Sequence, residues 1–231
     1  MPSEDEYRQA LRQLSADARK ADERAFVIAT LLFTHLRGSS DDYQAEMRRT
    51  FREFRLLLER ADDLPRTLRF KVNLLVYCHI LEAHPVYVYV WNLVRIAAGQ
   101  PHEQYPFGRD SIQNKVGKIK AAARGSGYGI ETMLDEVIDL DLRNAFSHNQ
   151  YVLDGVGMTL ARDGRFVSYE ALTETLSRAQ AFYQELADGA ERGTAFLQSE
   201  GEDVFRGRDG SALTITRTRR EGTMDVQMVG L

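Results

Sequence analysis

Apolar residues recur at helical spacing in one segment of this chain after another. The segments are closed by helix-breaking sequences such as Gly38-Ser39-Ser40, Leu64-Pro65 and His84-Pro85. Short connections between amphipathic helices favour antiparallel neighbours, so the chain is predicted to fold mainly as an antiparallel helical bundle. The apolar stripes are Tyr7, Leu11, Leu14 and Ala18; Tyr43, Met47, Phe51, Phe54 and Leu58; Phe70, Leu74, Tyr77 and Leu81; and Leu172, Leu176, Ala179, Phe182 and Leu186.

Capping residues and breaks set the expected helix boundaries. Residues Ser3 to Glu6 read as a capping box that opens a first helix. The segment from Val86 to Trp91 has strand-like β-branched and aromatic residues, but its apolar pattern continues to Ala97 and favours a buried helix. The predicted helices are Ser3 to Leu36, Asp41 to Leu64, Arg66 to Ala83, Val86 to Ala97, Ser111 to Ala123, Ile130 to His148, and a long helix capped by Ser168.

The periodicity changes to short extended runs after residue 148 and again after residue 200. Asp154-Gly155 and Asp163-Gly164 are turn dipeptides between the runs, which predicts a small β-hairpin. From Gly201 the chain reads as a short C-terminal β-meander. We therefore expect a helical domain over residues 1–200 and a small β appendage over residues 201–231.

Composition places the 231 residues among ordinary globular proteins, with 43% hydrophobic and 28% charged residues. Cys78 is the single cysteine, so no disulfide framework exists. The acidic N-terminus has no signal-peptide pattern, and the apolar runs fall short of the ~20 residues that span a bilayer. These features predict a soluble, cytoplasmic protein without membrane association.

The net charge of −4 is unlike that of a strongly basic nucleic-acid-binding domain, but the charge is uneven. One basic segment, Arg109 to Arg124, carries Lys115, Lys118, Lys120 and Arg124. It could hold phosphates or be an ordinary solvated helix face. His79 and Glu82 stand one helical turn apart, but the Glu-x-x-His order of helical metal sites is reversed, so we expect neither a metal site nor a cofactor.

The most distinctive run for function is Asp141-Leu142-Arg143-Asn144-Ala145-Phe146-Ser147-His148. An apolar periodic stripe leads into it, and the turn-rich segment follows. A second match to the same spacing, Arg95 to His102, runs across Gly99-Gln100-Pro101 and has no polar residue after its arginine. The spacing places Asn144 and His148 on one face of a helix. It directs Arg143 to a different side of the helix from His148.

This run resembles the Arg-x(4–6)-His signature of the HEPN superfamily, whose helical domains include many metal-independent ribonucleases of bacterial toxin and antiviral defence systems. The resemblance implies an endoribonuclease in which the 2′-hydroxyl of the RNA attacks the adjacent phosphate. His148 would be the general acid or base, since the ordinary pKa of histidine, about 6.5, suits proton transfer at neutral pH. Arg143 would stabilise the phosphorane, and Asn144 would orient His148 or bind RNA.

The same resemblance extends to substrate contacts and partners. Ser147, Tyr151 and the basic segment are candidates for binding RNA. Because Arg143 and His148 converge poorly within one helix, a homodimer with two motifs facing one cleft is expected. An antitoxin or another defence-system protein is a further expected partner. A non-catalytic HEPN-type module that binds RNA, a nucleotide or a protein remains the alternative, as does an accidental motif in which Arg143 is a paired surface residue.

Overall fold

A computed structural model of the protein describes residues 4–34, 63–104, 106–220 and 223–230, together with positions 50, 53, 56, 57, 59 and 60. It is mainly α-helical and contains two antiparallel three-stranded sheets. The predicted mainly α fold is thus confirmed, as are the β unit after residue 148 and the C-terminal meander. The chain divides into two compact units, each drawn from separate stretches of sequence.

The helices and strands follow one another in a simple order. The helices are α1 (Glu4–Ala21), α2 (Glu23–Thr34), α3 (Arg66–Glu82), α4 (His84–Ala97), α5 (Ile112–Ala123), α6 (Ile130–Val137), α7 (Leu140–Ser147) and α8 (Tyr169–Thr194). The strands are β1 (Tyr151–Leu153), β2 (Gly157–Leu160), β3 (Phe166–Ser168), β4 (Gly201–Arg206), β5 (Ala212–Arg220) and β6 (Thr223–Val229).

The first unit draws on residues 1–37, 85–131 and 184–231. Its core is formed by the apolar faces of α1, α2 and α4, where Leu11, Leu31 and Leu93 are buried. The C-terminal sheet belongs to this unit, has the order β4-β5-β6 and contacts α2 through β4. Alternation along β5 buries Leu213 and Ile215 on one side of the sheet, as expected for a sheet with one covered face.

The second unit draws on residues 38–84 and 132–183. Here α7 packs against α3 and against β2. The small sheet has the order β1-β2-β3, and its register pairs Tyr151 with Leu160 and Gly157 with Ser168. This sheet follows α7 directly, so it fixes the position of the chain that leaves the motif helix.

Two predicted helices are each divided in two. The helix expected from Ile130 to His148 stops at Val137, and Asp139 begins the next helix by accepting the Leu142 N–H at 2.9 Å. The helix expected to reach Leu36 is divided at Asp22, whose carboxylate accepts the Ala25 N–H at 2.7 Å. The aspartate side chain accepts a hydrogen bond from a backbone N–H and so begins a new helix at a point where the preceding helix could otherwise have continued.

The other helix predictions agree with the structure where it describes them. The segment from Val86 to Trp91 is helical, within α4. Ser111 and Ser168 cap α5 and α8 through their side-chain oxygens. The Ser3–Glu6 capping box and most of the helix predicted from Asp41 to Leu64 lie outside the described residues. Over the described ranges, the helices are too short or too polar to cross a membrane.

Candidate functional site

The motif helix α7 ends at Ser147, with His148 as its C-terminal cap, and backbone hydrogen bonds fix this end. The Gln150 N–H donates to the Ala145 carbonyl at 2.8 Å, and the Asn149 N–H donates to the Phe146 carbonyl at 3.2 Å. Asn149 has φ +54°, the left-handed conformation that closes such a Schellman arrangement. His148 is therefore held at the C-terminal end of the helix, where the peptide carbonyls contribute partial negative charge.

One face of α7 opens into a polar depression of about 260 Å³. Asn144 and His148, one helical turn apart, both line it, and the His148 side chain is exposed. Among the residues that the structure describes, none forms a hydrogen bond or ion pair with the His148 imidazole. The depression is also lined by Asp141, Ala145, Gln150, Leu160, Arg162 and Asp163. Its side chains therefore offer amide, guanidinium and imidazole groups to a ligand, together with the carboxylates of Asp141 and Asp163.

Arg143 points away from this depression and towards α3. Its Nη2 forms an ion pair with Glu82, and its Nη1 donates to Asn144 Oδ1 at 2.8 Å. The side chain is 24% exposed and does not line the depression of His148. Five positions of an α-helix correspond to a rotation of ~140°, which accounts for the separation. The arginine and histidine of one motif thus lie on different sides of their helix.

Asn144 connects the two sides of α7. It was expected to orient His148 or to bind RNA. Its Oδ1 accepts the hydrogen bond from Arg143, and no hydrogen bond joins it to His148 within the described part of the chain. Because the carbonyl oxygen is engaged, the amide N–H groups remain as donors towards the depression. Arg143 therefore sets which end of the Asn144 amide faces a ligand.

Ser147 and Cys78 lie on the Arg143 side of α7. The Cys78 Sγ is 4.0 Å from the Arg143 carbonyl oxygen, and Ser147 forms a hydrogen bond with the thiol. Burial raises the pKa of Cys78 to about 11, although the Arg143 charge and the Ser147 hydrogen bond act in the opposite direction. Cys78 is therefore a protonated, buried side chain at neutral pH and not a nucleophile.

Arg162 was missed by the motif analysis, although it stands at the depression. Its Nη1 lies 3.1 Å from Asp141 Oδ1, with the two side chains 79% and 53% exposed. An ion pair this exposed is weak, so Arg162 is available to an anionic ligand. The residue precedes the Asp163-Gly164 turn, and the hairpin prediction could have located it beside the motif. Gln150 lines the same depression.

A second ion pair holds the turn between β2 and β3 against the start of α7. Arg165 contacts both oxygens of Asp139 at 2.7 and 2.8 Å. The hydrogen bonds and negative charge of Asp139 raise the pKa of Arg165 above its ordinary value. Since Asp139 also caps α7, the helix start and the strand turn that carries Arg162 share one carboxylate.

The remaining predicted substrate residues are not among those that line this depression. Tyr151 begins β1, and its ring stacks on Phe146 at 5.9 Å between centroids. The four predicted residues of the basic segment lie on and just after α5 in the first unit. Each of its four predicted residues has a partner of its own: Lys118 pairs with Asp110 at 2.7 Å, Arg124 with Glu131 at 4.0 Å, Lys115 lies over the Tyr87 ring, and Lys120 has a further contact.

His79 and Glu82 were considered as metal ligands from the sequence, and Glu82 forms an ion pair with Arg143. Across the described ranges, no group of three or more His, Cys, Asp and Glu side chains is gathered as metal ligands would be. No protein-family model, curated protein or solved structure matches this chain. The resemblance to HEPN proteins therefore rests on the motif and its flanking residues alone.

Proposed function

We propose that this protein is a metal-independent endoribonuclease of HEPN type that acts in a toxin or defence system. The observation that supports it best is the exposed His148 imidazole in a polar depression shared with Asn144, Gln150 and Arg162. A histidine acid or base beside amide and guanidinium donors suits a phosphodiester, whose charge increases at the transition state.

The proposed reaction uses the substrate's own hydroxyl. A base removes the 2′-hydroxyl proton, the O2′–P bond forms, the P–O5′ bond breaks, and an acid returns a proton to the leaving 5′-oxygen. The products are a 2′,3′-cyclic phosphate and a 5′-hydroxyl end. His148 serves one of the two proton transfers. Asn144 and Arg162 contact the phosphate oxygens, and the step needs no metal-bound water.

The positions of Arg143 and His148 favour a shared site in a homodimer. One protomer presents the two side chains on different sides of α7, and Glu82 neutralises its Arg143. A two-fold axis beside the helix would bring two histidines into one cleft, one for each proton transfer. It would also allow Arg143 of one protomer to approach the phosphate held by the other.

The test is cleavage of a single-stranded RNA in excess chelator, with the cyclic phosphate detected by mass spectrometry. We expect His148→Ala to lower the rate by at least about 100-fold, the usual contribution of a general acid or base. We expect Arg143→Ala to lower it as well. His102→Ala is the matched control, because His102 belongs to the other Arg–His spacing and lies in the first unit. Undiminished cleavage by both motif variants would exclude this site, and loss of wild-type cleavage in chelator would exclude the mechanism.

The ion pair between Arg143 and Glu82 favours one alternative, a non-catalytic HEPN-type module that binds RNA, a nucleotide or a protein partner. In that case the arginine is a structural residue, and the depression is a binding surface. Expression in a bacterial host separates the two functions. Growth arrest relieved by His148→Ala supports the nuclease, whereas harmless expression with retained RNA or partner binding supports the module.

A further inference from the structure

The first unit carries a groove made of two adjoining depressions that share Ala16 and Arg19. One, of about 590 Å³, lies where α1, α2 and α8 meet and has Gly189 and Gly193 of α8 in its lining. The other, of about 540 Å³, lies between the α1–α2 junction and the turn after β4. We call the two depressions together the Gly189 groove. Neither the Arg143 motif nor the basic segment contributes to it.

Cationic side chains surround the Gly189 groove. They come from α1, α8, the end of β4 and the turn after it, and are Arg12, Arg19, Lys20, Arg192, Arg206 and Arg208. The carboxylates in the lining are Asp22 and Glu23. Asp22 accepts the backbone N–H groups of Ala25 and Arg208, and Glu23 pairs with Arg19 at 2.9 Å.

Several of these cations remain available to a ligand. Lys20 and Arg206 are exposed and have no ion-pair partner within the described part of the chain. Arg12 and Arg192 are held at 3.0 and 2.7 Å by Glu185, whose side chain is 3% exposed. A buried carboxylate that holds two exposed guanidinium groups keeps them ordered beside the groove. The groove therefore offers positioned positive charge along its length.

The floor of the groove contains a glycine that packing does not require. At Gly193 packing favours glycine, because a Cβ there would lie 3.0 Å from Thr30 Cγ2, which is tighter than an ordinary contact. A Cβ on Gly189 would meet only Arg192 Nη2 at 3.7 Å and Ser15 Oγ at 3.8 Å, which are ordinary contacts. Glycine inside a helix costs about 1 kcal/mol relative to alanine. Because Gly189 has no side chain, it leaves room for a ligand to approach the helix backbone closely.

We propose that the Gly189 groove binds a single-stranded nucleic-acid segment, with phosphates near Lys20 and Arg206 and a base against the helix backbone at Gly189. An acidic peptide would match the charge as well, but a nucleic-acid strand carries a flat base at every nucleotide and a regularly spaced phosphate beside it, which suits a groove with cations along both depressions. Backbone phosphates and a single base face give affinity with little sequence preference. The inference does not rest on the proposed ribonuclease function, since it concerns binding by a different unit.

The experiment is a fluorescence-anisotropy titration of the full-length protein with a labelled 2′-O-methyl RNA, which cannot be cleaved through its 2′-oxygen. We expect the double variant Lys20→Gln/Arg206→Gln to weaken binding at least about tenfold at low salt. The salt slope should fall by about 1.4, since each lost phosphate contact on a single strand contributes about 0.7. The double variant Lys71→Gln/Arg219→Gln, which removes one exposed lysine and one exposed arginine outside the groove, is the charge-matched control and should change neither value.

A second variant tests whether a base contacts the helix backbone at Gly189. Leucine at position 189 improves helix propensity and its Cβ makes only ordinary contacts, so we expect its remaining atoms to occupy part of the groove that Gly189 lines. We expect Gly189→Leu to weaken binding about tenfold with an unchanged salt slope and an unchanged circular dichroism spectrum. Equal binding by wild type and both groove variants would overturn the proposal. Competition by polyglutamate as effective, per charge, as by unlabelled oligonucleotide would overturn it in favour of an acidic protein partner.

Discussion

The hydroxyl of Tyr77 lies at the break between α6 and α7. It donates to the Val137 carbonyl at 2.9 Å and accepts the Asp139 N–H at 2.7 Å, and the side chain is fully buried. Tyr77→Phe would leave both backbone groups without this partner, so we expect unfolding to become easier by about 1–3 kcal/mol. Urea unfolding measures the change. The control is Tyr151→Phe, whose hydroxyl forms no hydrogen bond with the described residues, and it should stay within ~0.5 kcal/mol of wild type. Equal effects of the two substitutions would contradict the bridging role of Tyr77.

Spacing along the sequence was enough to place Asn144 and His148 on one helix face, because residues four apart share a face in any α-helix. It could not place Glu82 against Arg143, since an ion pair across 61 residues leaves no local pattern. The direction of Asn144 depends on that ion pair. The residue spacing of an α-helix therefore predicts which side chains share a face. Tertiary contacts determine which atoms of those side chains face a ligand.

Asn149 closes α7 in a left-handed conformation, and this closure sets the position of His148. Glycine adopts that conformation freely, whereas a β-branched side chain is strained there. We expect Asn149→Gly to be as stable as wild type and Asn149→Val to lose about 1–2 kcal/mol. Chemical denaturation of the two variants provides the comparison. If both unfold at the same urea concentration, the helix end observed here does not persist in solution.

The helices that the sequence predicted best are bounded by proline, by glycine or by a capping serine, as α3, α5 and α8 are. The helices that it joined in error are divided at Asp139 and Asp22, where no proline or glycine marks the break. Each aspartate begins a new helix through one hydrogen bond to a backbone N–H and takes part in further contacts with distant residues. Those distant contacts depend on the folded chain and have no counterpart in local propensity.

Acid stability should depend on Glu185, which joins α8 to α1. Burial alone would raise its pKa, but hydrogen bonds and charges from Arg12 and Arg192 outweigh this effect and lower it below the ordinary 4.5. A lowered folded-state pKa contributes stability that is present above pH ~4.5 and is lost as the pH falls through the folded value. We expect Glu185→Gln to lower the thermal midpoint at neutral pH, with the difference from wild type shrinking in acid.

Thermal unfolding followed at a series of pH values from about 3 to 7 measures this difference. Glu174→Gln is the control, because Glu174 is 69% exposed and its pair with Arg178 spans 3.6 Å. That variant should differ little from wild type at any pH. A constant gap between Glu185→Gln and wild type throughout the range would show that the Glu185 charge has no part in acid unfolding.

The described residues of the first unit begin near residue 4 and end near residue 230, whereas those of the second unit end at Tyr183. A ribosome therefore completes the stretch that carries His148 and Arg162 before it has made β4, which contacts α2 in the finished protein. Until β4 has been synthesised, α2 cannot make the contact with β4 that it makes in the folded protein. A premature stop between Tyr183 and Gly201 would yield a polypeptide that retains the whole second unit and leaves the face of α2 against β4 uncovered.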